Sequence, residues 1–206
     1  MHRDLLDALR CPHQHDESWL VAMVSRANGA HLIDADLACP VCGADFPVRN
    51  GVAWFGAPPR ASGDQAIDTE RLAALLSVNG GPRPILLTGA YTRAGAALAT
   101  LIDVPQLWLD APEDADRQVP LLSQLAGSAR LPLGVDTMAA AAVDAPHGDA
   151  EFLGSIVRAL SVGAHVVAPV SVVMPAELKA LARDAHEWVA EVTTRASGLV
   201  ELRRRG

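Results

Sequence analysis

Only three cysteines occur among the 206 residues, too few for a disulfide framework, and all of them fall within residues 11–42. Basic side chains are also scarce. Seventeen Lys and Arg stand against 24 Asp and Glu, a net charge of −7, which excludes the phosphate-neutralising surface of a dedicated nucleic-acid binder. Arg203-Arg-Arg205 is the one basic cluster and reads as a solvated strand end. Long apolar runs are missing: residues 162–174, the most apolar of the later stretches, carry His165 and Pro169 and are too short to span a bilayer. Residues 1–10 are charged and amphipathic, without the apolar segment of a secretory signal. Together with cysteines grouped as metal ligands, this leads us to expect a cytoplasmic protein with no membrane partner. There is no Gly-Lys-Ser phosphate loop, and Ser155 and Ser171 have no acid–base partner nearby that would make a hydrolase triad. Internal repeats and low-complexity segments are absent as well.

Half of the residues are apolar, enough for a sizeable core in one ordinary domain plus a small one. The most specific motif is Cys39-Pro-Val-Cys42, with Cys11-Pro-His-Gln-His15 upstream. Two thiolates two residues apart can hold one tetrahedral metal from a tight turn, and a second knuckle completes a closed structural zinc site. A second Cys-x-x-Cys would need cysteine at position 14, where Gln14 stands. Either flanking imidazole, His13 or His15, can replace the missing thiolate. His15 is the expected ligand, because its longer loop leaves room to turn back on the metal, which gives Cys11, His15, Cys39 and Cys42. The competing reading is a reduced, metal-free turn, but so small a segment has little core and needs a staple.

The coarse pattern continues this division. Residues 18–25 read as a strand, Asn28-Gly29 as the two-residue turn of a hairpin, and residues 31–38 as its return, bringing Cys39 beside Cys11. Residues 56–67, rich in Pro, Gly and Ala in their first half, read as a linker between a zinc ribbon (1–55) and an α/β domain (68–206). In the second unit Asp68 caps a helix, and a strand near 84–88, a helix over 94–101 and a strand over 106–109 imply a right-handed parallel crossover. Strands are expected over 139–143 and 165–173 around a helix over 150–160, then a helix over 177–186. A closing hairpin pairs 188–194 with 199–204. Residues 112–125 are too short for a helix and a strand of usual length.

The knuckles, the preceding Leu5-Leu-Asp-Ala-Leu-Arg and the trailing Phe46-Pro-Val-Arg-Asn-Gly-Val52 resemble the short zinc-ribbon family whose members activate tRNA and other methyltransferases. The second unit resembles a minimal class I S-adenosylmethionine-dependent methyltransferase through Leu131-Pro-Leu133, Arg158-Ala-Leu160 with Gly163, and the final hairpin. The resemblance implies a Rossmann-like sheet, a glycine loop after the first strand and an acid after the second. Here Leu87-Thr-Gly89-Ala-Tyr91-Thr-Arg93-Ala-Gly95 keeps Gly89 but puts Tyr91 and Arg93 where further glycines belong and Leu87 where an acid belongs. Their side chains are expected to fill the cofactor's space. Asp110, roughly 20 residues after Gly89, stands where a carboxylate accepts from ribose hydroxyls. Gly89 and Asp110 are thus the candidate cofactor residues, while Gly95 also suits helix packing. After the fourth strand, Asp144-Ala-Pro-His147 offers either a base facing a substrate or an exposed loop histidine.

These features favour a non-catalytic, zinc-holding scaffold, with no catalytic residues, that pairs with another protein such as an active methyltransferase. One alternative is a methyltransferase with a divergent cofactor loop. Another is a pocket for a different nucleotide-like ligand.

Overall fold

A computed structural model describes residues 1–63, 65–78 and 80–194. The chain begins with a 3-10 turn, Arg3–Asp7, and four strands: β1 (Val21–Asn28), β2 (His31–Ala38), β3 (Asp45–Arg49) and β4 (Val52–Trp54). In the β1–β2 hairpin Asn28 pairs with His31, so the central turn residues are Gly29 and Ala30 rather than Asn28 and Gly29. Of the two only Gly29 has a positive φ, +58°, the conformation glycine tolerates at the first central position. Next comes α1 (Thr69–Leu76), capped by Asp68, whose carboxylate accepts the Arg71 N–H at 3.0 Å.

The second unit runs β5 (Ile85–Thr88), α2 (Gly95–Leu101), β6 (Gln106–Leu109), β7 (Leu122–Ala126), β8 (Met138–Ala142), α3 (Ala150–Ala159), β9 (Leu160–Pro169), β10 (Leu178–Arg183) and β11 (Glu187–Val192). All the described strands form one sheet, in the order β1-β2-β3-β4-β7-β6-β5-β8-β9-β11-β10. Counted from β5, the last seven follow the order 3-2-1-4-5-7-6, parallel from β5 to β9 with β11 inserted antiparallel. This is the Rossmann-like, methyltransferase-type α/β sheet. The N-terminal hairpins extend it, because β4 pairs in parallel with β7, Ala53 beside Leu125.

Alternate residues of the central strands feed two cores, as the period of two requires. Ile85, Leu87, Trp108 and Ala142 pack under α1 and α2 with Leu72, Leu76, Tyr91 and Leu98. Leu86, Leu107, Leu109 and Leu125 pack on the other face with α3 and with Leu5, Leu9, Phe46 and Phe55 of the N-terminal segment. Residues 127–137 form no helix, and there the N-terminal segment covers the sheet directly: Leu9 bridges Leu133, and the Arg10 N–H donates to the Pro132 carbonyl at 2.9 Å.

Three expectations are corrected. Residues 177–186 are not a helix: Leu178–Arg183 is edge strand β10, which pairs with β11. Sheet pairing overrides the helix-favouring composition there. The turn is closed by Asp184, which accepts from the His186 and Glu187 N–H groups. β11 therefore finds its partner upstream, while the expected arm over 199–204 and the Arg203 cluster lie outside the described residues. The third strand is present as β7, and it is the helix of the 110–121 connection that is missing. Finally, β9 starts at Leu160, directly after α3. No helix among the described residues is long and apolar enough to cross a membrane.

Candidate functional site

Cys11, His15, Cys39 and Cys42 converge, with one donor atom from each lying within 4.8 Å of the others. The Cys11 and Cys42 sulfurs are 3.8 Å apart, and His15 Nε2 is 3.4 Å from the Cys39 sulfur. A tetrahedral zinc with thiolates at ~2.3 Å and an imidazole nitrogen at ~2.0 Å sets sulfurs ~3.8 Å apart and nitrogen ~3.5 Å from sulfur. The two measured separations match those values, and the donor set could hold zinc. The second knuckle is shaped by Gly43, at φ +69°, whose N–H returns to the Cys39 carbonyl at 2.9 Å. His15 presents Nε2 because its Nδ1 meets the Asp16 carbonyl at 2.6 Å, which fixes ring and tautomer. Burial alone would raise the Cys39 thiol, but N–H groups of Cys42 and Val41 aimed at its sulfur bring it down to about 6. Cys11 lacks that degree of compensation, and burial pushes it up to about 12.

The second cluster lies at the carboxyl ends of the parallel strands, where such sheets place their ligands. His147 is fully buried, with Nδ1 2.5 Å from Asp144 Oδ1 and Nε2 3.1 Å from Asp110 Oδ2. Asp144 also accepts the Thr88 hydroxyl at 2.7 Å and the Ala90 N–H at 3.0 Å. Asp110, 5% exposed and at φ +51°, accepts the Gly127 N–H at 2.8 Å and the Arg60 N–H at 3.0 Å. Burial alone would lower the His147 pKa, but its bonds to Asp110 and Asp144, and their charge, raise it above the ordinary imidazole value. Burial would raise Asp144, but His147, Thr88 and the Ala90 N–H hold it below the ordinary carboxylate value. His147 is thus a buried imidazole held between two acids, an arrangement that favours its protonated form.

Gly89 and Asp110 are thus brought to one place, yet their polar neighbours come from the chain itself. A methyl group at Gly89 would lie 2.0 Å from Asp144 Oδ2. It is Asp144, and not Tyr91 or Arg93, that fills the volume above Gly89. Tyr91 turns into the core beneath α1, where burial pushes its phenol up, and Arg93 points outward to Asp114 and to the Gly63 carbonyl at 2.7 Å. The cause is local: residues Gly89–Ala94 wind as a 3-10 turn, tied by the Thr92 hydroxyl to the Gly89 carbonyl, instead of an open glycine loop. Gly95 serves packing, because a Cβ there would meet the Trp108 ring at 2.1 Å.

Residues 56–63 run across these strand ends as a strap. The Ala57 N–H donates to the Gly127 carbonyl at 2.7 Å, and the Arg60 guanidinium lies 4.1 Å from the Phe152 ring centroid and 3.0 Å from an Asp149 oxygen. Neither Arg60 nor the burial of His147 was expected. The Asp144-x-x-His147 spacing was the only signal in the sequence, and it also suits an exposed loop. Gly127 permits the crossing: it sits at φ +63°, and a Cβ would come within 1.9 Å of the Ala57 carbonyl oxygen. Gly127→Ala should therefore lift the strap and destabilise the fold by about 1–3 kcal/mol. Limited proteolysis should cut faster within 57–63. Gly154→Ala, in open space on α3, is the contrasting control, expected to stabilise by about 0.5–1 kcal/mol.

No protein-family model and no curated protein matches the chain. Among solved structures it is similar to geranyl diphosphate C-methyltransferase from Streptomyces coelicolor A3(2), at 12% identity over 54% of this chain and 54% of that one, TM-score 0.41. A putative methyltransferase from Bacillus halodurans C-125 is 17% identical over 57% and 54%, TM-score 0.38. The antibiotic-resistance methyltransferase Kmr is 12% identical over 66% and 99%, TM-score 0.40. The first two matches thus span little more than half of those proteins. All three are likenesses of fold.

Proposed function

We propose that this chain is a zinc-holding, non-catalytic member of the methyltransferase-like folds, a pseudoenzyme that works by pairing with another protein, an active methyltransferase being the expected class of partner. The observation that carries this reading is the filled cleft. What speaks against S-adenosylmethionine is that Asp144 stands over Gly89, the oxygens of Asp110 are bonded to Gly127, Arg60 and His147, and the strap crosses above. An interaction surface needs only a stable fold and an apolar patch. At one sheet edge β1 presents an apolar row on one face, with Val21 61% and Met23 71% exposed and Trp19 (60%) just before it. The opposite edge, β10, carries Lys179 and Arg183, the charges that discourage strand addition.

Calorimetry of the zinc-loaded protein with S-adenosylmethionine tests the reading directly. Silence at millimolar ligand is expected, together with recovery of a second protein from native cytosol, weakened by Met23→Lys. Micromolar binding, with transfer of a labelled methyl group, would establish the alternative, a methyltransferase with a divergent cofactor loop.

A further inference from the structure

The knuckle Cys11-Pro-His13-Gln-His15 carries two imidazoles where a four-coordinate site needs one, and their placement separates them. His15 Nε2 faces Cys39 at 3.4 Å and belongs to the four-donor cluster, whereas His13 stands outside that cluster with Nδ1 3.6 Å from the Cys42 sulfur. Its ring is held edge-on against Phe46, centroids 5.6 Å apart. A metal-bound thiolate has no proton, so the ring nitrogen facing it must carry the hydrogen.

The other two sulfurs have backbone donors. The N–H groups of Val41 and Cys42 serve Cys39, and the N–H of His13 serves Cys11. Among the described residues the His13 side chain supplies the corresponding bond to Cys42, the most exposed of the three thiols. Three thiolates around a divalent zinc leave one excess negative charge, and donors to sulfur disperse it. We propose that His13 is a positioning residue of the metal centre, donating Nδ1–H to the Cys42 thiolate, so that one histidine of the knuckle ligates and the other shields. The proposal rests on the zinc reading and extends it to a residue that never touches the metal.

Cobalt(II) in place of zinc, zinc competition titration and the rate at which iodoacetamide alkylates Cys42, followed by mass spectrometry, distinguish the roles. His13→Ala should keep the tetrahedral thiolate–cobalt bands at one equivalent, lose about tenfold in zinc affinity, and alkylate several-fold faster at Cys42. His13→Asn places an amide N–H near the position of Nδ1 but cannot take over as a zinc ligand of this kind, and it should restore both values. His15→Ala should change the cobalt spectrum itself. Loss of the bands in His13→Ala with retention in His15→Ala would make His13 the ligand and overturn the assignment. Unchanged alkylation in His13→Ala would overturn it too. A wild-type protein that binds neither cobalt nor zinc would overturn the zinc reading on which the proposal rests.

Discussion

Cys39→Ser is expected to abolish stoichiometric zinc binding and to lower the melting temperature by roughly 8–16 °C. Cys39 is 1% exposed and sits in the apolar core with Phe46 and Phe55, so its loss removes both a ligand and a buried contact. Zinc contributes ~10–16 kcal/mol of apparent free energy in isolated finger peptides. Here part of the folding work is done by packing of the N-terminal segment on the sheet. Even a third of the zinc contribution, about 4 kcal/mol at ~2–4 °C per kcal/mol for a chain of this size, gives that shift. Hydrogen exchange should lose protection first in β2 and β3 while β5 and β8 keep theirs. Metal analysis finding no zinc in a wild-type protein whose β1–β3 strands remain protected would contradict the expectation.

Replacing His147 is the second large perturbation. His147→Ala leaves Asp110 and Asp144 facing each other in a buried site without the cation between them, and breaking such a group costs about 3–5 kcal/mol. The melting temperature should fall by roughly 10 °C. The combination with Asp110→Asn and Asp144→Asn should recover part of that loss, because neutral amides tolerate burial better than unpaired carboxylates. The pH profile follows from the directions of the shifts. His147 is raised above its ordinary 6.5, so its stabilisation is complete below pH 6.5 and disappears as pH rises through the raised value. Asp144 is lowered from 3.8, so its stabilisation is present above pH 3.8 and is lost as pH falls through the lowered value. Thermal melts should place this cluster's greatest contribution between those limits, with a decline on the alkaline side that His147→Ala lacks.

The convergence of Cys11, His15, Cys39 and Cys42 could be read in the sequence because it is local: Cys39 and Cys42 share one turn, and a single hairpin brings them to Cys11. The parallel order was legible for the same reason, as β5, α2 and β6 follow one another with short connections. The buried cluster was hidden. Its members come from the strap, the end of β5, the residue after β6 and the loop after β8, and no period links Arg60 to Asp110 or Asp110 to His147. Leu178-Lys-Ala-Leu-Ala-Arg183 has the composition of a helix, and only its pairing with β11 makes it a strand. The damaged glycine loop pointed to a closed site, but it suggested the wrong plug, since the side chain over Gly89 comes from Asp144, far along the chain.

The parallel pairing of β4 with β7 also bears on how the chain is made. Trp54 leaves the ribosome about 70 residues ahead of Ala126, its partner across the ladder. At ~5–20 residues per second that is a wait of roughly 4–14 s. Throughout it the outer side of β4 has no strand beside it, and Phe46 and Phe55 lack the later core residues Leu107, Leu109 and Leu125. If the Cys/His cluster takes up zinc as proposed, capture of the metal during translation would help to keep those side chains from straying to a neighbouring nascent chain.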